Sequence, residues 1–64
     1  MTNEEFRNYL QSKLGELRSI PWAERPSNFR IQEELLTSGI KIMTFGTGQA
    51  RRRFRREYER RLGL

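Results

Sequence analysis

Arginine is the residue whose type and spacing most clearly suggest chemistry in this sequence. Seven arginines lie within residues 51–61 together with two glutamates, which gives this segment a local charge of +5. The net charge of the 64-residue chain is also +5, so the rest of the chain is neutral. The planar guanidinium group suits two-pronged contact with phosphate or carboxylate. A basic segment attached to a neutral chain is typical of a protein that binds a polyanion.

Few residues are left that could carry out catalysis. The chain has no cysteine and no histidine, and all eight of its acidic residues are glutamates. The usual zinc sites and the Ser-His-Asp and Cys-His arrangements therefore cannot be assembled. The glutamate pairs at 4/5, 33/34 and 57/59 fit solvated helix faces or ion-pair partners better than a catalytic pair. We expect a protein that is not an enzyme and that holds no metal or other cofactor.

The sequence also predicts a location. No run of about 18 apolar residues is present, and the acidic N-terminal stretch MTNEEF does not resemble a signal peptide. We therefore expect a cytoplasmic protein (in the host cytoplasm or virion if it is viral) with no membrane partner.

The length predicts a single small domain over residues 1–64, with a core worth only about 3–5 kcal/mol. Because no disulfide can reinforce so small a core, we expect the chain to form a homo-oligomer or to be completed by a larger partner.

The first element is predicted to be a helix over about residues 3–18. Thr2 and Glu5 have the spacing of a capping box, and acidic residues in the first turn suit the helix dipole. Apolar residues recur on one face at helical spacing, namely Phe6, Tyr9, Leu10, Leu14 and Leu17.

A connector over residues 19–27 follows, in which Pro21 and Pro26 oppose further helix. It contains Trp22, the only tryptophan. Trp22 either caps the small core or is an exposed anchor for a partner, because tryptophan is enriched at the centres of interfaces.

The mixed segment 28–48 allows two interpretations. In the favoured one, Ser27 caps a short helix that ends at Ser38, with Gly39 after it. In the other, Ser38 and Gly39 form a hairpin turn between two strands. Both place a strand at residues 40–45, which are rich in β-branched residues and are bounded by glycines. The predicted fold is thus small α+β, mostly helical, and a lone strand would need a second copy of the chain to pair with.

The last element is predicted to be a basic helix over residues 49–62, capped by Thr47 and ended by Gly63. Four residues at four-residue intervals form what we call the apolar seam, Ala50, Phe54, Tyr58 and Leu62. Border arginines beside the seam are expected to cover the core with their alkyl stems and to support binding with their guanidinium groups, which reach water: Arg51, Arg55 and Arg61. The far side carries what we call the arginine ridge, Arg52, Arg56 and Arg60, with Arg53 beside it.

The glutamates do not interrupt this ridge. Glu57 is placed to pair with Arg53 or Arg61, and Glu59 with Arg55, at spacings worth a few tenths of a kcal/mol. A helix that needed only to be soluble would gain from glutamates among the ridge arginines. The unpaired ridge therefore predicts contact with phosphates or with an acidic protein surface.

Two functions compete on these observations. The first is low-specificity binding of nucleic acid through the basic helix, with a possible extra phosphate contact from the loop Gly46, Thr47 and Gly48 at the helix N-terminus. The second is a virus or phage assembly component, or a small inhibitor, that docks its basic helix and Trp22 on a larger acidic protein. The size and the helix–β–helix layout resemble those of small phage head–tail joining proteins. In a third interpretation, the basic helix has no binding role and is only the solvent-exposed face of an ordinary oligomer.

Overall fold

The computed structural model describes residues 1–62 (only the backbone at Leu62) and folds them into three α-helices. Helix α1 spans Asn3–Arg18, α2 spans Phe29–Phe45 and α3 spans Gly48–Leu62, and a single 3-10 turn, Trp22–Glu24, lies in the first connector. Residues 1–62 contain no β-strand. The predicted α+β class is therefore wrong, and the fold is an all-helical bundle.

Helix α1 forms as the sequence predicts. The Glu5 amide donates to Thr2 Oγ1 at 3.1 Å, and the Thr2 amide donates to Glu5 Oε1 at 3.3 Å, which completes the capping box. These bonds to Thr2 hold the pKa of the Glu5 carboxyl below its usual value, because they favour the ionised form. The buried side of the helix carries Phe6, Leu10 and Leu17, so the predicted core stripe is confirmed.

The segment predicted to be a strand, residues 40–45, is the C-terminal part of α2. Both the short helix ending at Ser38 and the hairpin alternative are wrong, because α2 passes through Ser38 and Gly39 without a break. Leu36 and Met43, two helical turns apart, are both buried. A strand would have taken Met43 away from that buried face, and packing of this kind outweighs the few tenths of a kcal/mol by which isoleucine disfavours a helix.

The boundaries of α2 also differ from the expectation. Asn28, and not Ser27, occupies the N-cap position, and its Oδ1 accepts a hydrogen bond from Gln32 Nε2 at 2.8 Å. The helix ends at Gly46, whose amide donates to the Ile42 carbonyl at 2.8 Å. Since residues 1–62 hold no unpaired strand, strand pairing gives no reason for a dimer.

The core lies mainly between α1 and α2, which pack against each other more extensively than α3 packs against either. Helix α3 joins this pair through aromatic rings: Tyr58 lies 5.6 Å from Phe6 and 6.3 Å from Tyr9 of α1, between ring centroids. The ring of Phe54 lies against Gly39 in the middle of α2. Gly39 therefore serves as the contact point of two helices, where the sequence had predicted a helix stop.

Candidate polyanion-binding surface

The basic helix begins where Thr47 caps it. Thr47 Oγ1 accepts a hydrogen bond from the Ala50 amide at 3.1 Å, and the Thr47 carbonyl accepts one from the Arg51 amide at 3.0 Å. The predicted cap is confirmed, and α3 starts one residue earlier than predicted, at Gly48. The predicted stop, Gly63, lies outside the described residues.

The loop Gly46, Thr47 and Gly48 works first as a helix junction. The Gly46 amide is used to end α2, and the Thr47 hydroxyl is used to start α3. A phosphate contact from the remaining amides of this loop stays a prediction.

The apolar seam points inward as expected where the side chains are described. Tyr58 is buried, Ala50 and Phe54 are partly buried, and the side chain of Leu62 lies outside the described residues. Burial, with the neighbouring Tyr9 as a smaller cause, raises the pKa of Tyr58 to about 12. The seam thus fixes which side of α3 faces solvent.

Two of the border arginines hold the helices together. Arg55 donates to Asn3 Oδ1 at 3.0 Å and to the Met1 carbonyl at 2.8 Å, and its guanidinium carbon lies 5.1 Å from the centre of the Phe6 ring. Arg51 donates to the Thr44 carbonyl of α2 at 3.4 Å. The Arg55 guanidinium group is therefore used for contacts within the chain, and that of Arg51 makes one long contact while its buried Nε has no partner within residues 1–62. The third border arginine, Arg61, is exposed.

The arginine ridge is free of such contacts. Arg52, Arg56 and Arg60 are exposed, and none of them forms an ion pair with another residue in the range 1–62 whose side chain is described. At a rise of about 1.5 Å per residue the ridge extends about 12 Å along α3. Over the same length, one strand of a nucleic-acid duplex passes roughly three to four phosphates.

The glutamates beside the ridge neutralise it only weakly. Glu57 lies 3.9 Å from Arg53, and Glu59 lies 4.0 Å from Arg55, as the spacing predicted. The Arg53 side chain is 84% exposed, and exposed pairs of this length contribute little because water screens them. The outer surface of α3 therefore keeps its positive potential.

Trp22 does not cap the core. It is 82% exposed, so that interpretation is wrong. Its position is nevertheless held by Arg25, whose guanidinium carbon lies 5.2 Å from the Trp22 ring and 4.3 Å from the Phe29 ring. Arg25 also donates to the Ile20 carbonyl at 3.1 Å and to the Arg18 carbonyl at 3.4 Å, so its side chain links the connector to the end of α1 and the start of α2.

Two exposed apolar residues were missed by the sequence reasoning. Ile31 and Phe45 of α2 are 68% and 82% exposed. The two residues lie fourteen positions, or four helical turns, apart. If residues 40–45 are taken as helix, this spacing places both of them on one face of α2.

Comparisons with known proteins give no further guidance. No protein-family model matches the chain, and neither a curated protein nor a solved structure was found to match it. In residues 1–62, no helix has the length and apolar character needed to cross a bilayer. The same part of the chain brings together no three side chains suited to holding a metal ion.

Proposed function

We propose that this protein is a small, non-enzymatic module that binds the nucleic-acid backbone through its arginine ridge, with Arg53 in support. The observation that carries the proposal is that the arginines of α3 fall into two groups, one with contacts inside the chain and one exposed to solvent. Arg51 and Arg55 are used inside the chain, while Arg52, Arg56 and Arg60 are exposed without an ion pair to a described side chain. Like charges at four-residue spacing repel each other slightly, and phosphate contact would offset that cost.

The expected recognition is electrostatic. Arginine forks contact phosphate oxygens irrespective of the base sequence, so affinity should depend on charge and geometry and little on sequence. Three to four phosphate contacts predict that the logarithm of the binding constant falls with the logarithm of the salt concentration with a slope of roughly −3 to −4.

The test compares two double variants with the same change in charge. Arg52→Gln/Arg56→Gln removes two ridge arginines, whereas Lys13→Gln/Arg30→Gln removes two exposed cations from α1 and α2. Binding to labelled duplex and single strands is measured by fluorescence anisotropy at several salt concentrations between about 50 and 200 mM. The ridge variant should lose affinity and reduce the slope by about two, while the control variant should keep the wild-type slope.

Circular dichroism of both variants checks that the helices persist. The proposal fails if the wild-type protein shows no salt-dependent binding, or if the two variants weaken binding equally.

A second candidate function is docking on a larger acidic protein, as in an assembly component or an inhibitor. The observation that favours it is Trp22, which is exposed and yet held in place by Arg25. The resemblance in layout to phage joining proteins loses its β element, so this alternative depends on Trp22 and the ridge alone. This alternative would be favoured by a protein partner that loses affinity for the Trp22→Ala variant, provided that the variant still binds nucleic acid as tightly as the wild-type protein does.

A further inference from the structure

Helix α2 carries a row of mostly apolar side chains that the bundle covers only in part, since Leu35 packs against the core while Ile31 and Phe45 are exposed. Its members, which we call the α2 stripe, are Ile31, Leu35, Ser38, Ile42 and Phe45. They recur at intervals of three and four residues and fall within about 80° of the helix circumference. Leu35 and Ile42 are partly buried, and both ends of the stripe are exposed.

The apolar surface continues from α2 onto α3. A shallow groove between the two helices is lined by Ile42, Ala50 and Phe54, and its far lip carries Arg53 and Glu57. These two charges oppose each other, so the lip is close to neutral, unlike the arginine ridge beyond it. Exposed apolar surface of this kind in a small domain marks an interaction site.

We infer that the α2 stripe is the interface of an antiparallel, two-fold symmetric dimer of this chain, in which the two α2 helices cross at Ser38. A two-fold interface requires a surface that is complementary to itself. Around Ser38 the stripe has that property. Ile31 lies seven residues before Ser38 and Phe45 seven after it, so each end of one helix meets the opposite end of the other.

The charges at the edge of the stripe fit the same arrangement. Glu34 and Lys41 are exposed on one edge of α2, four residues before and three after Ser38, and neither forms an ion pair among the described side chains. In an antiparallel pair the same edges of the two helices meet, so Glu34 of one copy lies beside Lys41 of the other, twice. In a parallel pair the same edges would lie on opposite sides of the interface, and Glu34 and Lys41 of the two copies would not meet.

Other occupants fit this face less well. A nucleic-acid backbone has no apolar surface to place against Ile31 and Phe45. A strongly acidic protein helix would pair with Lys41 but would be repelled by Glu34 on the same edge, so the two charges would oppose each other. Ser38, small and exposed at the crossing point, allows two helices to approach closely at the centre. A second copy of the chain covers the apolar residues of the α2 stripe and also pairs Glu34 with Lys41.

The first test is the mass of the whole chain in solution without nucleic acid, by sedimentation or light scattering, between about 1 μM and 1 mM. A species of twice the 7.7 kDa chain mass is expected. Phe45→Ser should shift it to the monomer, with unchanged helical circular dichroism because Phe45 is exposed. Trp22→Ser, equally exposed but outside the stripe, should leave the dimer intact.

The second test is a charge exchange. Glu34→Lys and Lys41→Glu should each weaken the dimer by roughly tenfold, and the double variant should restore it. The inference is overturned by a monomer at all concentrations, by a larger assembly, or by a dimer indifferent to these exchanges. Since Arg52→Gln/Arg56→Gln should still dimerise, failure of the dimer and failure of nucleic-acid binding are distinguishable.

Discussion

Replacing Gly39 with alanine puts a methyl group where the ring of Phe54 already lies. The added carbon would overlap the edge of that ring, with Cε1 at 2.6 Å, and would come within 3.1 Å of Leu10 Cδ1. The ring cannot swing aside freely, because its centroid lies 6.3 Å from that of Phe6 and 5.8 Å from that of Tyr58. The helices α2 and α3 must therefore separate slightly, or the aromatic cluster must repack.

The size of the effect follows from two opposing contributions. Alanine in place of glycine within a helix stabilises by about 0.5–1 kcal/mol. Overpacking a well-filled contact costs about 1–3 kcal/mol. Gly39→Ala should therefore lower the free energy of unfolding by up to about 2.5 kcal/mol, a large part of the stability of a domain this small.

Gly15→Ala is the matched control. Gly15 also lies within a helix, but nothing stands within 4 Å of the position that its Cβ would take. This variant should gain the helix contribution of about 0.5–1 kcal/mol without any packing cost. The difference between the two variants isolates the overpacking of Phe54 and should be about 1–3 kcal/mol.

Urea unfolding followed by circular dichroism measures both variants by linear extrapolation. Equal stabilisation of the two would show that Phe54 does not lie against Gly39, and the packing of α3 on α2 described above would be wrong.

Three further outcomes can be checked. Leu10 is fully buried, so Leu10→Ala should cost about 3–5 kcal/mol and leave most of the chain unfolded by circular dichroism. Since the pKa of Tyr58 is raised in the folded state, its ionisation favours unfolding. Stability should fall between pH 10 and about 12, by on the order of 2 kcal/mol, and Tyr58→Phe should remove much of that loss in urea titrations. Thr2→Ala removes the capping bonds that favour the ionised carboxylate of Glu5, so NMR titration should show the pKa of Glu5 rise toward its usual value; an unchanged pKa would contradict the capping box. The stability that the lowered pKa provides is present at neutral pH and is lost as the pH falls through it.

Local signals in the sequence were sufficient to predict α1 and α3. The capping residues Thr2 and Thr47 and the apolar spacing of Phe6, Leu10 and Tyr58 all act within one or two helical turns. The exposure of the arginine ridge also follows from helical spacing, because residues opposite a buried seam face solvent.

The middle of the chain could not be predicted in this way. Ile40, Ile42 and Gly39 have local preferences for a strand or a turn, and only the position of Leu36 and Met43 against α1 decides for a helix. That contact joins residues far apart in the sequence. The role of Gly39 likewise depends on Phe54, a neighbour fifteen residues away.

Two further side chains depended on contacts that no local pattern reveals. The sequence predicts that Arg55 borders the seam and supports binding, whereas its guanidinium group contacts Asn3 and the Met1 carbonyl. The sequence leaves open whether Trp22 caps the core or is exposed, and its contact with Arg25 outside the core could not be read from the sequence.

The unequal packing of the three helices has a consequence for the order in which the chain folds. Helices α1 and α2 share most of the core, whereas α3 contributes Tyr58 as its only buried residue among those with described side chains. We therefore expect the α1–α2 hairpin to be the cooperative unit and α3 to dock last and detach first, so that the amides of α3 exchange hydrogen fastest. An anion that binds the outer face of α3 would slow this hydrogen exchange only if its binding requires α3 to be helical and packed on the other two helices.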